Sequence, residues 1–348
     1  MIRWKFVGLG VIALLLLMQG CATTRYYAQA VKGQVDIIIH SRSIEGLLDH
    51  PDTSRDLAAR LRKVRSMVEF AGNSLNLPHQ GSYKKYADLG REYVVWNVVA
   101  AGEFSVSPKT WCFPFAGCLG YRGYFSKIRA KKHAAALRQQ GLDVYLYGID
   151  AYSTLGWLND PILNTFVNYQ EAELAGLIFH ELTHQKVYIK DDFVFNESLA
   201  TAVELAGVEL WATERETGDD FSAYQRRHQY RSAIVENMLA TRSELKELYV
   251  SNSTEDEKKR DKESIFARLK QQLHNLAIKY DASTNWLESL PLNNAVLSSY
   301  ATYFDYVPAF QSLLEQHNLD FESFFSTVEQ MEKMTPDKRD AWLRARVR

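Results

Sequence analysis

Residues 169–184 read Tyr-Gln-Glu-Ala-Glu-Leu-Ala-Gly-Leu-Ile-Phe-His-Glu-Leu-Thr-His, and 195–207 read Phe-Asn-Glu-Ser-Leu-Ala-Thr-Ala-Val-Glu-Leu-Ala-Gly. The first stretch holds His-Glu-x-x-His at 180–184. Asn168 followed by Glu171 predicts a capping-box start, which puts the motif on a helix. At 3.6 residues per turn, His180 and His184 project from one face about one turn apart, so two neutral imidazoles can bind one Zn²⁺. Glu181 lies beside them as the candidate general base of metal-assisted hydrolysis.

Two histidines do not complete a catalytic zinc site, which normally has three protein ligands and one open position. One class of zinc protease takes a histidine six residues after the motif with a glycine before it. Lys190 and Val187 stand at those positions and exclude it. In the second stretch Glu197, Thr201 and Glu204 share one helical face, from which Glu197 can reach a metal held by the first helix.

The segment from 196 to 204, Asn-Glu-Ser-Leu-Ala-Thr-Ala-Val-Glu, resembles the NEGFA-type segment of gluzincin peptidases such as aminopeptidase N. That resemblance implies Glu197 as third ligand and Glu204 as a group behind the ligands. Only twelve residues separate His184 from Glu197, against about eighteen in those enzymes, so Gln185 to Val194 is expected to be a tight loop. Together with Tyr-Arg-Gly-Tyr-Phe at 121–125 and Tyr-Ser-Thr-Leu-Gly-Trp at 152–157, the motifs resemble predicted lipoprotein aminopeptidases of bacterial envelopes across most of the mature chain. The resemblance implies zinc-dependent hydrolysis of peptides, one Zn²⁺ per chain, and an edge strand before the metal helix along which substrate extends.

Gluzincins often stabilise the oxyanion with a downstream tyrosine. Tyr300, Tyr303 and Tyr306 are candidates here, with Tyr303 chosen as catalytic; each reads equally as an aromatic core residue. The GxMEN segment that holds a substrate amine in the resembled enzymes is absent from this sequence. Asp150 is a candidate for that role, or simply a turn residue. Endopeptidase action, a protease-chaperone role, or a zinc-stabilised scaffold without catalysis are the alternative readings.

The start of the chain has Arg3 and Lys5, an apolar run from Phe6 to Met18, then Gln19, Gly20 and Cys21. The run is about 13 residues, too short to span a bilayer as a helix, and reads as a secretory leader over 1–20. This end resembles a bacterial lipobox, with Met18 in place of the usual leucine. The resemblance implies lipidation of Cys21, attachment to membrane through that lipid and, because Ala22 follows, an outer-membrane location facing the periplasm. An ordinary leader or a retained anchor are the alternatives. Cys112 and Cys118 are separated by five residues, and export makes a local disulfide plausible, beside reduced thiols or half of a metal site.

The 348 residues are 46% apolar with a formal net charge of −1, ample for a packed core. Without an extended basic run, nucleic acid is excluded as a partner. Helical periodicity covers Tyr26 to about Asp49 (Val31, Val35, Ile38) and Ser54 to about Ser74 (Leu57, Leu61, Val64, Val68). Tyr93 to Val99 and Leu142 to Ile149 read as strands. After Asn168 the chain reads as helical, broken at Gly218-Asp-Asp and by a solvated loop from Ser251 to Lys262. The expected fold is α+β: one mainly helical, zincin-like domain over 21–348 with a small mixed sheet before the metal helix. Its parts are N-terminal helices at 21–90, the sheet region at 91–155, metal-site helices at 165–215 and C-terminal helices at 220–348.

Overall fold

The computed structural model describes residues 24–346, apart from 114–116, 152, 155–156, 217 and 301–305. The leader, Cys21 and Tyr303 lie outside the described residues. The fold is α+β and mainly helical, with small sheets of two or three strands.

Its centre is a pair of helices, α5 (Glu171–Lys186) and α6 (Phe193–Glu214), packed antiparallel after a short connection. Both are apolar on most of their surface. Phe179, Leu182, Phe195, Leu199 and Val203 are fully buried, each contributing about 1.5–3 kcal/mol relative to an exposed side chain. Gly207 admits this close approach, because a Cβ there would lie 2.9 Å from the Phe179 ring and 2.7 Å from Leu75. Around the pair, α3 (Arg55–Asn73) buries Leu61, Val64 and Val68 in the same core, as its periodicity predicts.

The α5 helix does not begin with a capping box. Its N-cap is Gln170, with no side-chain cap bond, because 163–169 folds as successive turns that place Asn168 two residues too early. Glu171 and Glu173 occupy the first turn, where the helix dipole favours negative charge, and Glu171 pairs with Lys63.

The first predicted helix is divided into α1 over 24–40, a strand β1 (Ser41–Ser43) and α2 (Ile44–Leu48). Ser43 caps α2 through Gly46 N at 3.2 Å, which competes with continuation of α1. Val31, Val35 and Ile38 face outward, at 62%, 44% and 51% exposure. The predicted loop from Ser251 to Lys262 is mostly helical: Thr254 and Glu257 form a capping box that starts α8 (Glu255–Lys279). The break near Gly218 falls earlier, since α6 ends at Glu214 and α7 (Gly218–Val250) begins at the glycine itself.

Two three-stranded sheets replace the single sheet expected. In one, β2 (Lys85–Ala87) lies between β1, antiparallel, and β8 (Ile162–Leu163), parallel. In the other, β3 (Val95–Ala101) lies between β6 (Arg122–Tyr124) and β7 (Asp143–Ile149), antiparallel to both. Alternation along β3 sends Val98 and Ala100 toward α4 (Lys127–Arg138), and Val99 and Ala101 toward α10 (Asn294–Ser299). A disulfide joins Cys112 to Cys118 across the hairpin of β4 (Trp111–Phe113) and β5 (Gly117–Leu119).

Candidate metal centre

The helical spacing of His180 and His184 directs both Nε2 atoms to one point between α5 and α6, 3.2 Å apart. Glu197, one turn into α6, closes the third side: its Oε2 is 3.4 Å from His180 Nε2 and its Oε1 3.4 Å from His184 Nε2. Three Lewis bases thus face one another inside the protein. A tetrahedral zinc with bonds of roughly 2.0–2.1 Å holds its nitrogen ligands about 3.3 Å apart, so the donor set and its spacing fit zinc. Among the described residues, this is the one cluster of at least three such side chains able to share an ion.

The loop between the helices fixes this register. Asn196 is buried and ties Ile189 with both ends of its amide, accepting from Ile189 N at 2.8 Å and donating to Ile189 O at 2.7 Å. Asp192 caps α6 through Phe195 N and is gripped by Arg339, whose Nε lies 2.8 Å from Asp192 Oδ2. The twelve residues between His184 and Glu197 suffice because α5 runs on to Lys186 and α6 starts at Phe193.

Behind the ligands, Glu204 Oε2 lies 3.0 Å from His180 Nδ1, and the Tyr224 hydroxyl donates to Glu204 Oε1 at 2.6 Å. A carboxylate on the outer nitrogen of a ligating histidine fixes its tautomer and orientation. Gly176 leaves room for that bond, since a Cβ there would sit 3.1 Å from both Glu204 Oε1 and the Tyr224 hydroxyl. His184 Nδ1 is buried without a partner among the described residues.

The electrostatics favour positive charge at the centre. Burial opposes protonation of His180, but hydrogen bonds and charge from Glu197 and Glu204 outweigh it and hold its pKa well above the ordinary value. Burial opposes ionisation of Glu204, yet His180, Tyr224 and Arg231 bring its pKa down to about 2. Glu197 is lowered against the same penalty by His180 and His184. His184, dominated by burial and by the charge on His180, is pulled down to about 4.

Glu181 stands at the edge of this cluster, half-buried. Burial raises its carboxyl above the ordinary range, with Glu197 and Asp160 adding to the shift and His180 and a Ser153 hydrogen bond opposing it. Ser153 also donates to Asp160 Oδ2 at 3.2 Å. Asp160 is itself buried and accepts from Thr154 N and Thr154 Oγ1 at 2.8 and 2.7 Å. Ser153, Thr154 and Asp160 are thereby fastened together beside Glu181. None of Ser153, Asp160 and Tyr224 is marked by spacing to the motif; only the Tyr-Ser-Thr-Leu-Gly-Trp string drew notice to the first.

Of the tyrosine trio, Tyr300 packs near Tyr147 and Tyr145, and the Tyr306 hydroxyl bonds Asp340. The described tyrosines beside the centre are others. Tyr83 is buried, its pKa raised by burial and by Glu181 and Asp160. The Tyr188 ring stands edge-on to His184 at 6.3 Å. Asp150 accepts from the Tyr169 hydroxyl and, through its carbonyl, from Thr165 at 2.5 Å, bonds suited to a structural corner.

No match was found among curated proteins or among solved structures. A family model, Aminopep, described as "Putative aminopeptidase", matches residues 25–343. That span includes α5, α6 and every residue of the centre, and the chain belongs to this family.

Proposed function

We propose that the protein is a zinc metallopeptidase of the gluzincin type, with His180, His184 and Glu197 as ligands and Glu181 as general base. The observation that carries this is the mutual approach of three buried or half-buried Lewis-basic groups, two imidazoles and a carboxylate, with a second carboxylate beside them. Bound zinc would polarise a peptide carbonyl and activate water for attack on it. Glu181 takes the proton of the attacking water and delivers it to the departing amine. Its raised pKa brings it nearer the range in which one group serves both as base and as acid. Glu204 and Tyr224 hold the His180 ring in one orientation through Nδ1.

An extended substrate would lie along the outer edge of β7, which is an edge strand of its sheet and leads through Asp150 toward Ser153 beside Glu181. The edge is covered at its start, where Asn293 donates to Val144 O at 3.4 Å, so the remainder toward Ile149 is the part left for pairing. Aminopeptidase action is the reading that family membership favours. The leader and Cys21 support placement of the enzyme on the envelope as a lipoprotein, and the Cys112–Cys118 bridge accords with an oxidising compartment.

The test is hydrolysis of paired peptides, with free and with acetylated N-termini, by the zinc-loaded chain from Ala22 and by its Glu181→Gln variant. Cleavage of free-ended peptides alone, lost in the variant, is the expected result. Equal cleavage of both peptides assigns an endopeptidase, and no Glu181-dependent cleavage rejects the catalytic reading.

A further inference from the structure

The α1 helix has an apolar face that the described protein does not cover. Its inner side is occupied: Gln29 bonds the backbone of Gly123 and Phe125, Gly33 lies against the Phe125 ring, and Ile37 is buried. The opposite side carries Ala28, Val31, Val35 and Ile38, at the three-and-four spacing that makes one stripe, with Ile39 beside it at 72% exposure. No charged residue interrupts that stripe.

A basic surface adjoins it. The Arg129 guanidinium donates to Arg25 O at 3.4 Å, so the first turn of α4 touches the first described turn of α1. That helix contains no acidic residue, and Lys127, Arg129, Lys131 and Lys132 are all exposed on it. Among the described residues, Arg129, Lys131 and Lys132 form no ion pair. Ile128, between two of these bases, is 81% exposed.

We propose that the α1 stripe and the basic start of α4 form one surface that rests on an anionic lipid bilayer. Apolar side chains beside a dense positive field are the combination that holds a helix in the plane of a membrane interface. The chain before α1 favours the same occupant. The apolar run Phe6–Met18 and Cys21 come directly before it, and only Ala22 and Thr23 separate Cys21 from the first described residue of the helix. An acyl group on Cys21, or a retained leader, holds the start of α1 at the bilayer. No described helix is long and apolar enough to cross a membrane; the contact is therefore lateral. The tether rests on the envelope reading above, whereas the surface does not, so the test is run without the tether.

The chain from Ala22 keeps every described residue and lacks both leader and lipid. It is sedimented with vesicles of phosphatidylethanolamine and phosphatidylglycerol, and with phosphatidylcholine vesicles as the neutral control. Binding to the anionic vesicles is expected, weakened roughly tenfold or more by Val35→Asp with Ile38→Asp and likewise by Lys131→Glu with Lys132→Glu. Thermal midpoint and zinc content should be unchanged in both variants. Absence of wild-type binding overturns the proposal, as does equal binding by the variants. A dimer in light scattering that Val35→Asp with Ile38→Asp dissolves, without vesicle binding, assigns the stripe to a second copy and overturns it as well. Peptide cleavage by the same preparations reports on the catalytic reading separately.

Discussion

Two buried polar clusters grip the same pair of helices, one at the connection and one at the centre, and they are built on opposite rules. At the connection, Arg339 is 3% exposed and all three of its nitrogens are used: Nε and Nη2 on Asp192, and Nη1 on the carbonyls of Met331 and Met334. Donors meet acceptors there and nothing further is required. At the centre, the imidazole nitrogens of His180 and His184 and the oxygens of Glu197 point at one another across 3.2–3.4 Å. On the proposed reading, these Lewis bases share a cation between them. The first cluster holds structure, and the second is, on the proposed reading, the seat of an ion.

Substitutions should separate the two. Glu181→Gln is expected to reduce peptide hydrolysis by about 10²–10⁴-fold, with zinc content and thermal midpoint unchanged; a comparable loss of stability would mean that Glu181 belongs to the first kind. Arg339→Met should destabilise the fold by about 2–3 kcal/mol, because it leaves the half-buried Asp192 without its cationic partner and the Met331 and Met334 carbonyls without their donor. Urea unfolding measures this, and a normal midpoint would show that the brace is dispensable. Between them stands Glu204→Gln, which keeps the shape behind His180 but removes the charge. Zinc affinity by chelator competition should weaken about 10–100-fold; an unchanged affinity would detach Glu204 from the centre.

The smallest effect concerns His133, whose Nε2 is buried without a partner among the described residues, none of which forms a metal-binding group around it. Burial, with the charges of Arg122 and Lys109, pulls its pKa from 6.5 to about 4. The unfolded chain then binds the proton more readily, so the stability contributed by neutral His133 is present above pH 6.5 and lost as pH falls toward 4. A plot of thermal midpoint against pH should decline less steeply over that window in His133→Gln. An identical slope would show that His133 is not the group responsible.

The centre is legible because its proposed ligands are local: a one-turn spacing in α5 and a glutamate thirteen residues past His184 declare themselves in any helix. Apolar periodicity was equally visible in α1 and α3, yet α3 buries Leu61 and Val64 while α1 exposes Val31 and Ile38. A period reports that a face is apolar and is silent on what covers it. The supports of the centre were hidden because they come from afar. Arg339 lies 147 residues from Asp192, Tyr224 reaches Glu204 from another helix, and Asp160 acts through a hydrogen bond from Ser153. The capping box expected at Asn168 failed for a local reason, since the turns of 163–169 delay the helix to Glu171. The one at Thr254 went unread because charge density there suggested a loop.

The most direct test of the central claim is zinc per chain, by elemental analysis after reconstitution and dialysis, for the wild type, Glu181→Gln and His184→Ala. About one zinc per chain is expected in the first two and almost none in the third. A wild type without zinc, or a His184→Ala variant that keeps it, would contradict the account.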